Sequence, residues 1–529
     1  MKTICELFHK QMITGPNRVL IHHMARDTTY AQTDRQANAI AGWLEANGIA
    51  PGDRVALVLP NSADYVAWYL GILRAQAIVV ALNPDTTSAE IAATVNHSGT
   101  SVVVIGSRTA ATLNDAAGSI GCIRRVVTAG EEASVSFPAS WNPTSLAEVL
   151  AEDRAGSRPM PDLGDVAQII YTSGTTGRPK GVTLTHRNIS SNCQSILAYL
   201  NLTAEDSIFV ILPFFYSYGN SLLFTHLAAG GRLVLASDFV FWNRVLDLMI
   251  EQKVTGFSGV PSSYAMLLHK SDFRKRSFPD LRYMTCAGGG LAPAVVQRLQ
   301  AVLPNVRLFP MYGQTEATAR LSTLMPDEIE SKLGSIGRGI PGVTLRVLDE
   351  RGRPVRPDVE GEIVASGDNI MLGYWNDPEE SQRVLRPDGL HTGDLARIDN
   401  DGYIFIVGRK SDIIKSGAYR LNPKEIEEII IALEGVAEVA VAGLPDEIWG
   451  ELPVAFVVRS PNAEIREADI LDHCRANLPR YKMIREVVFM EKLPKTSSGK
   501  VRRFALRAPS AEHQPENACL NGPATCQPN

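Results

Sequence analysis

Tyr171–Thr183, YTSGTTGRPKGVT, is the stretch on which the reading of this chain turns. It follows a short apolar run, Ala167–Tyr171, that reads as a buried strand, and it precedes residues that read as a helix. Three glycines, Gly174, Gly177 and Gly181, permit tight turns and close backbone approach. Thr172, Ser173, Thr175 and Thr176 supply hydroxyl donors, and Lys180 supplies a cation. A loop of that make-up presents N–H and O–H groups to a polyphosphate. It is not a Walker A loop, because no Gly-Lys-Ser/Thr closes it and its lysine follows proline. The plain alternative is a polar surface connection, against which the four hydroxyls followed by Pro-Lys-Gly weigh.

Upstream, apolar runs alternate with amphipathic stretches, the pattern of βα units on a parallel sheet. Arg54–Leu59, Ile78–Leu82 and Ser101–Ile105 read as strands, with helices over Ala63–Arg74 and Ser88–Asn96. The same alternation resumes after the loop, with strands at Ser207–Leu212, Arg232–Leu235, Gly256–Ser258 and Leu281–Thr285. These give two blocks, about 1–165 and 166–330, joined by a Ser-, Pro- and Gly-rich connection over Glu131–Leu163. From about 331 to 407 the strands Thr344–Leu348, Gly361–Ser366 and Tyr403–Val407 are separated by turn residues, which predicts a small antiparallel β unit. An α+β unit follows over 413–507, with helices Pro423–Leu433 and Glu467–Asn477 and strands Val436–Ala442, Val454–Val458 and Glu486–Phe489. Residues 508–529 have few apolar side chains and read as a disordered tail.

Composition narrows the function classes. The chain has 529 residues, enough for several folding units. Its 52 basic against 57 acidic residues, net charge −5, give no electrostatic case for a nucleic-acid partner. Seven scattered cysteines form neither a Cys-x-x-Cys pair nor a Cys/His cluster, so a disulfide framework or zinc site is not expected and a cytoplasmic setting is. No signal peptide is evident at the start, and no run is long enough to span a membrane.

Four further motifs stand in order along the chain: Tyr312-Gly313-Gln314-Thr315-Glu316, His391-Thr392-Gly393-Asp394, Gly408-Arg409-Lys410-Ser411-Asp412 through Glu427, and Pro494-Lys495-Thr496-Ser497-Ser498-Gly499-Lys500. With the loop, this set resembles the adenylate-forming superfamily, which includes acyl-CoA synthetases, adenylation domains of peptide synthetases, and luciferases. The resemblance runs from about Thr29 to Arg503. It implies a large α/β N-terminal domain, about 1–407, made of two βα-layered subdomains and a small antiparallel β-barrel-like one. A hinge at 408–412 and a small mobile α+β C-terminal domain would follow.

It also implies a reaction: a carboxylate attacks the α-phosphate of ATP, giving an acyl-adenylate and pyrophosphate, and a thiol then displaces AMP. Both reactants are anionic, so the first step needs positive charge and oriented donors. By resemblance, Lys500 supplies that charge, with Lys180 and the loop residues Thr172, Ser173, Gly174, Thr175, Thr176 and Gly177 around the phosphates. Thr315 would touch the α-phosphate, and Glu316 would hold Mg²⁺. Asp394 would accept the ribose hydroxyls, with Arg409 nearby. Adenine would lie between Gly288-Gly289-Gly290 and the ring of Tyr312. The hinge position falls on Ser411, with Lys410 and Asp412 as alternatives.

The implied acyl pocket takes in Tyr216, Tyr218, Gly219, Val260, Tyr264, Cys286, Ala287, Gly313 and Ala317. Amino-acid-activating relatives place an Asp in the segment corresponding to Phe214–Asn220, a region that Tyr216 occupies here, so an acid without an amine is expected, aryl or aliphatic. The thiol path would run by Ser416, Gly417, Ala418, Tyr419 and Arg420, with Ala418 where glycine is usual. The acceptor is CoA, or the phosphopantetheine of an acyl carrier protein. A monomer or homodimer is expected. A non-catalytic or luciferase-like oxidative relative is the competing class; the joint presence of Lys180, Glu316, Asp394, Arg409 and Lys500 favours a ligase.

Overall fold

The computed structural model describes residues 1–130, 135–152, 154–173, 179–236, 241–417, 419–460, 463–495 and 501–507. The chain divides into two compact units, with the boundary between Ile406 and Val407.

Two mixed sheets build most of the first unit. Among the described residues one has eight strands, in the order Gly373–Tyr374, Pro179–Thr185, Val166–Ser173, Ile78–Ala81, Arg54–Val58, Val102–Gly106, Arg125–Ala129, Thr144–Ser145. Its centre is parallel and reads Val/Ile/Leu/Ala-rich because helices cover such strands on both faces. The other has nine, in the order Arg338–Gly339, Ser322–Thr323, Arg307–Tyr312, Tyr283–Cys286, Gly256–Gly259, Ser207–Val210, Arg232–Leu235, Val19–His23, Arg26–Thr29. The sheets share one core. Tyr65 and Tyr69, on the helix Ala63–Arg74, pack against Phe214 and Phe224 at ring-centre distances of 5.6 and 5.4 Å. That helix starts where Ser62 caps Tyr65 N–H at 3.1 Å, and it ends at Gln76 with φ +55°. Gln76 thus occupies a left-handed stop that glycine fills at lower cost.

Three expectations change. The sheets do not divide at residue 165. Val166–Ser173 and Pro179–Thr185 complete the first sheet, and Val19–His23 with Arg26–Thr29 belongs to the second, because strand pairing follows buried edges rather than chain order. The phosphate-loop stretch is not a strand-to-helix connection. It closes an antiparallel hairpin in which Thr172 faces Lys180 and Ser173 faces Pro179, and the helix begins only at His186. The alternation in VTLT, with Val182 and Leu184 fully buried, extends the strand. The connection read over Glu131–Leu163 holds the short strand Thr144–Ser145 and the helix Leu146–Ala151, started by a Ser145/Glu148 capping box.

A third, antiparallel sheet packs Val343–Leu348 against Gly361–Gly367 and that strand against Gly389–Ile398. The chain leaves the first unit along Ile404–Arg409. In the second unit a mixed sheet pairs Val436–Asp446 with Gly450–Arg459, which also takes Ile414–Ser416 antiparallel and Glu486–Phe489 parallel. Helices Pro423–Ile431 and Glu467–Asn477 bury Ile426, Ile430 and Ile470 against it. No helix among the described residues is long and apolar enough to cross a membrane.

Candidate active site

The first unit brings three of the quoted motifs together. The strand Arg307–Tyr312 delivers Tyr312 to its end, and the Tyr312 hydroxyl donates to Asp394 Oδ2 at 2.7 Å across 82 residues of sequence. Asp394 is 3% exposed. Its loop is fixed from below. Thr392 Oγ1 accepts from Asp394 N–H at 3.2 Å and donates to the Ile363 carbonyl at 2.8 Å. Glu362 accepts from Gly393 N–H at 3.1 Å and holds His391 Nδ1 at 2.8 Å. Asp388 holds the other ring nitrogen of His391 at 3.0 Å.

Beyond Tyr312 the chain makes one 3₁₀ turn, Thr315–Ala317. Gly313 is required there, because a Cβ would lie 1.9 Å from the Ala319 carbonyl oxygen. Thr318 then adopts φ +66° and ψ −58°, and Ala319 N–H donates back to the Ala317 carbonyl at 2.7 Å. This is the rare, strained γ-turn, and a β-branched residue adopts it only when surroundings force it. Thr318 Oγ1 anchors the turn on the Asn369 carbonyl at 2.7 Å. Asn369 Nδ2 returns bonds to the carbonyls of Ala317 and Arg320 at 3.2 and 2.9 Å.

Thr315 and Glu316 are half-buried. Thr315 Oγ1 lies 3.2 Å from Ser217 Oγ, and Glu316 Oε1 accepts from the Tyr374 hydroxyl at 2.9 Å. Tyr374 links this turn to the phosphate-loop hairpin. Its strand pairs with Pro179–Thr185, and Lys180 Nζ lies 5.3 Å from its ring centre. Lys180 also forms an ion pair with Glu380, which Arg383 holds at 2.7 Å. Burial pushes the Tyr374 phenol up, and the Glu316 and Glu380 carboxylates push it further. It therefore stays a donor at ordinary pH. Tyr374, Glu380 and Glu362 were not singled out from the sequence; the Gly-Tyr-Trp triplet at 373–375 was the available signal.

Gly288–Gly290 lie exposed after the strand Tyr283–Cys286. Gly288 needs its glycine for φ +85°, and a Cβ there would press on Val260 at 3.2 Å. Of the acyl-pocket set, Tyr264 and Tyr218 converge on Thr285. Tyr264 donates to its carbonyl at 2.7 Å, and Tyr218 donates to the same oxygen at 3.0 Å. Cys286, Ala287 and Ala317 are buried, and Tyr216 is half-buried against Phe215 at 4.5 Å between ring centres. Gly219 is a packing glycine: a Cβ would lie 2.0 Å from the Pro213 carbonyl oxygen.

In the second unit Arg409 is exposed. Asp412 pairs with Arg503 at 3.3 Å, and Arg503 reaches Glu427 Oε2 at 3.0 Å, so one hinge candidate is tied into its own unit. Ser416 faces Tyr419 across a tight hairpin, and Gly417, at φ +58°, donates to the Trp449 carbonyl at 2.7 Å. Gly174, Thr175, Thr176, Gly177, Ala418 and Lys500 lie outside the described residues, as do the side chains of Ser173 and Arg420.

The donor set fits a magnesium–nucleotide complex. Glu316 has one carboxylate oxygen without a hydrogen-bond donor among the described residues. Among those residues no group of three or more His, Cys, Asp or Glu could hold a metal unaided. A hard cation held by one carboxylate takes its remaining ligands from phosphate and water.

Comparison with known proteins adds to this geometry. The family model described as AMP-binding enzyme matches residues 8–375, and the model described as AMP-binding enzyme C-terminal domain matches residues 425–500. The chain is 33% identical over 482 residues to the long-chain-fatty-acid–CoA ligase FadD13 of Mycobacterium tuberculosis, covering 90% of this chain and 92% of that one. It is similar to the crystal structure of ATP-bound MatB from Rhodopseudomonas palustris, at TM-score 0.85 and 30% identity over 95% of this chain and 98% of that one. It also resembles the anthranilate CoA ligase AuaEII in complex with anthranoyl-AMP, at TM-score 0.86 and 26% identity over 96% of each chain.

Proposed function

Because the chain belongs to the AMP-binding enzyme family, we propose the following course for its reaction. It is an AMP-forming acid–CoA ligase. A carboxylate oxygen of the acid attacks the α-phosphorus of ATP, the bond to the bridging oxygen breaks, and pyrophosphate leaves with the electron pair. The CoA thiolate then attacks the acyl carbon, and AMP leaves.

The observation that carries the site assignment is the 2.7 Å bond between Tyr312 and Asp394, which puts two motifs at one buried position. Asp394 accepts the ribose hydroxyls, and the Tyr312 ring offers a face to adenine beside Gly288–Gly290. Thr315 donates to the α-phosphate. Glu316, aimed by Tyr374, would hold Mg²⁺, a hard cation that takes its other ligands from phosphate and water. When bound, that cation neutralises charge developing on the phosphates. Lys180 is held ready for the phosphates by Glu380 and by the Tyr374 ring. Lys500 supplies the charge shared by carboxylate and α-phosphate, and rotation about 408–412 exchanges the second unit between the two half-reactions.

The substrate is an acid without an α-amine. The buried acid nearest to the pocket segment in sequence, Asp206, is already satisfied by Arg282 at 2.8 Å, Thr203 N–H at 2.8 Å and Thr255 Oγ1 at 2.8 Å. An ammonium ion would therefore be buried unpaired. The five described cysteines are all unpaired, which fits a cytoplasmic enzyme.

The test is a pyrophosphate-release screen over aliphatic, aryl and amino acids with ATP and Mg²⁺, run with CoA, with a holo-carrier protein and with neither. Release is expected with amine-free acids, and thioester with CoA. A folded enzyme that releases pyrophosphate with no acid class would refute the ligase reading.

A further inference from the structure

Arg320 is a buried cation that the chemistry above does not use. It is 2% exposed. Its guanidinium carbon lies 4.0 Å from the centre of the Tyr218 ring, and its Nε donates to Met311 Sδ at 3.1 Å. No carboxylate among the described residues forms an ion pair with it. Its surroundings are neutral. Burial raises the pKa of Tyr199, Tyr218 and Cys286, and the positive charge of Arg320 opposes that rise at all three without reversing it.

Position separates this charge from the nucleotide. Successive side chains on a strand point to opposite faces. Tyr312 turns to Asp394, and its neighbour Met311 turns to Arg320. The strained turn at Thr318 and the glycine at 313 let Arg320 reach that face, and Asn192 and Asn369 each donate to its carbonyl at 2.9 Å. A charge removed from water without an opposite partner is costly, and a ring face, a thioether sulfur and the Tyr199 hydroxyl offset only part of that cost. Tyr218 and Cys286 belong to the acyl-pocket set, so this charge without a carboxylate partner lies against side chains expected to line the acid site.

We propose that Arg320 determines specificity by pairing with a second anionic group, a distal carboxylate, so that the acid activated is a dicarboxylic acid. The proposal rests on the ligase reading above. The planar guanidinium fork suits two-point recognition of a carboxylate, whereas plain fatty or unsubstituted aryl acids leave the charge unpaired.

The test uses acids matched in carbon number, one series ending in methyl and one in carboxylate, with benzoic acids with and without a second carboxyl. Two readouts are taken on wild type, Arg320→Met and Arg320→Lys: calorimetric binding of the acid, and acid-dependent pyrophosphate release. Wild type should favour at least one dicarboxylic acid over its match by about 100-fold or more in kcat/KM. Arg320→Met should erase that preference, mainly through KM, while still releasing pyrophosphate with methyl-ended acids. Arg320→Lys, which keeps the charge without the fork, should keep part of it and guards against a folding defect in Arg320→Met. A wild-type preference for methyl-ended acids at every length overturns the proposal, as does a preference for dicarboxylic acids that survives Arg320→Met. Arg320-dependent binding of a dicarboxylic acid with no turnover of any acid would leave the subsite standing and refute the ligase reading. Turnover of methyl-ended acids with neither binding nor turnover of dicarboxylic acids would refute the subsite alone. No binding and no turnover would refute both.

Discussion

Replacing Tyr312 with Phe removes one oxygen and leaves the ring. The lost bond runs to a carboxylate that is 3% exposed, at 2.7 Å. A hydrogen bond to a charged group is worth about 1.5–3 kcal/mol. At about 1.4 kcal/mol per decade, this corresponds to roughly 10- to 150-fold. If the hydroxyl serves to aim Asp394 at the ribose, the loss falls on nucleotide binding. At saturating acid and CoA, kcat/KM for ATP should drop by about that factor, mostly through KM, because the ring proposed to face adenine is retained. KM for the acid should stay within about twofold, since Tyr218, Tyr264 and Arg320 are untouched. The assay is steady-state pyrophosphate release with ATP varied, alongside a thermal melt. A lowered melting temperature with unchanged KM for ATP would refute the assignment and make the pair a packing contact.

Three further outcomes follow. Arg282→Met should destabilise the first unit by about 3 kcal/mol in chemical denaturation, because it leaves buried Asp206 without its partner. Adding Asp206→Asn should recover most of that, and equal stability of the single variant and wild type would contradict it. His186 and His226 are held neutral by burial, each with its pKa lowered to about 4. The unfolded chain takes up their protons near pH 6.5 and the folded chain does not, so stability is lost as pH falls through the window from 6.5 to 4. That loss amounts to about 2 kcal/mol per histidine at pH 5. Denaturant midpoints at pH 7.5 and 5.0 read it, and a flat profile would contradict it. Lys500→Ala should greatly reduce adenylation but leave attack of CoA on supplied acyl-adenylate largely intact; equal loss of both half-reactions sinks the assignment.

Local pattern carried much of the fold. Val55–Val58, Val79–Val80 and Val102–Ile105 are fully buried, β-branched-rich runs of the kind parallel sheets carry. The errors came where pairing is non-local. Nothing within Val19–His23 says that its partner is Leu233–Val234, more than 200 residues on. The phosphate-loop stretch reads as a strand-to-helix connection because its glycines and hydroxyls mark a loop, while the Val182 and Leu184 alternation with threonine that prolongs the strand comes only after it. The motifs that meet in the candidate site were legible through resemblance, but the bonds that join them were not. Tyr374 bridging Lys180 and Glu316 depends on a short strand docking edge-on, and Arg320 sits in a polar-looking Thr-Ala-Arg stretch that gives no hint of burial. The left-handed Thr318 is likewise invisible in sequence, since a β-branched residue argues against such a turn.

The most direct test of the account is the product stoichiometry with an amine-free acid, ATP, Mg²⁺ and CoA, followed by mass spectrometry. The account predicts AMP, pyrophosphate and acyl-CoA in equal amounts, all absent without the acid, and acyl-AMP accumulating when CoA is withheld. ADP with inorganic phosphate, or AMP formed at the same rate without acid, would contradict it.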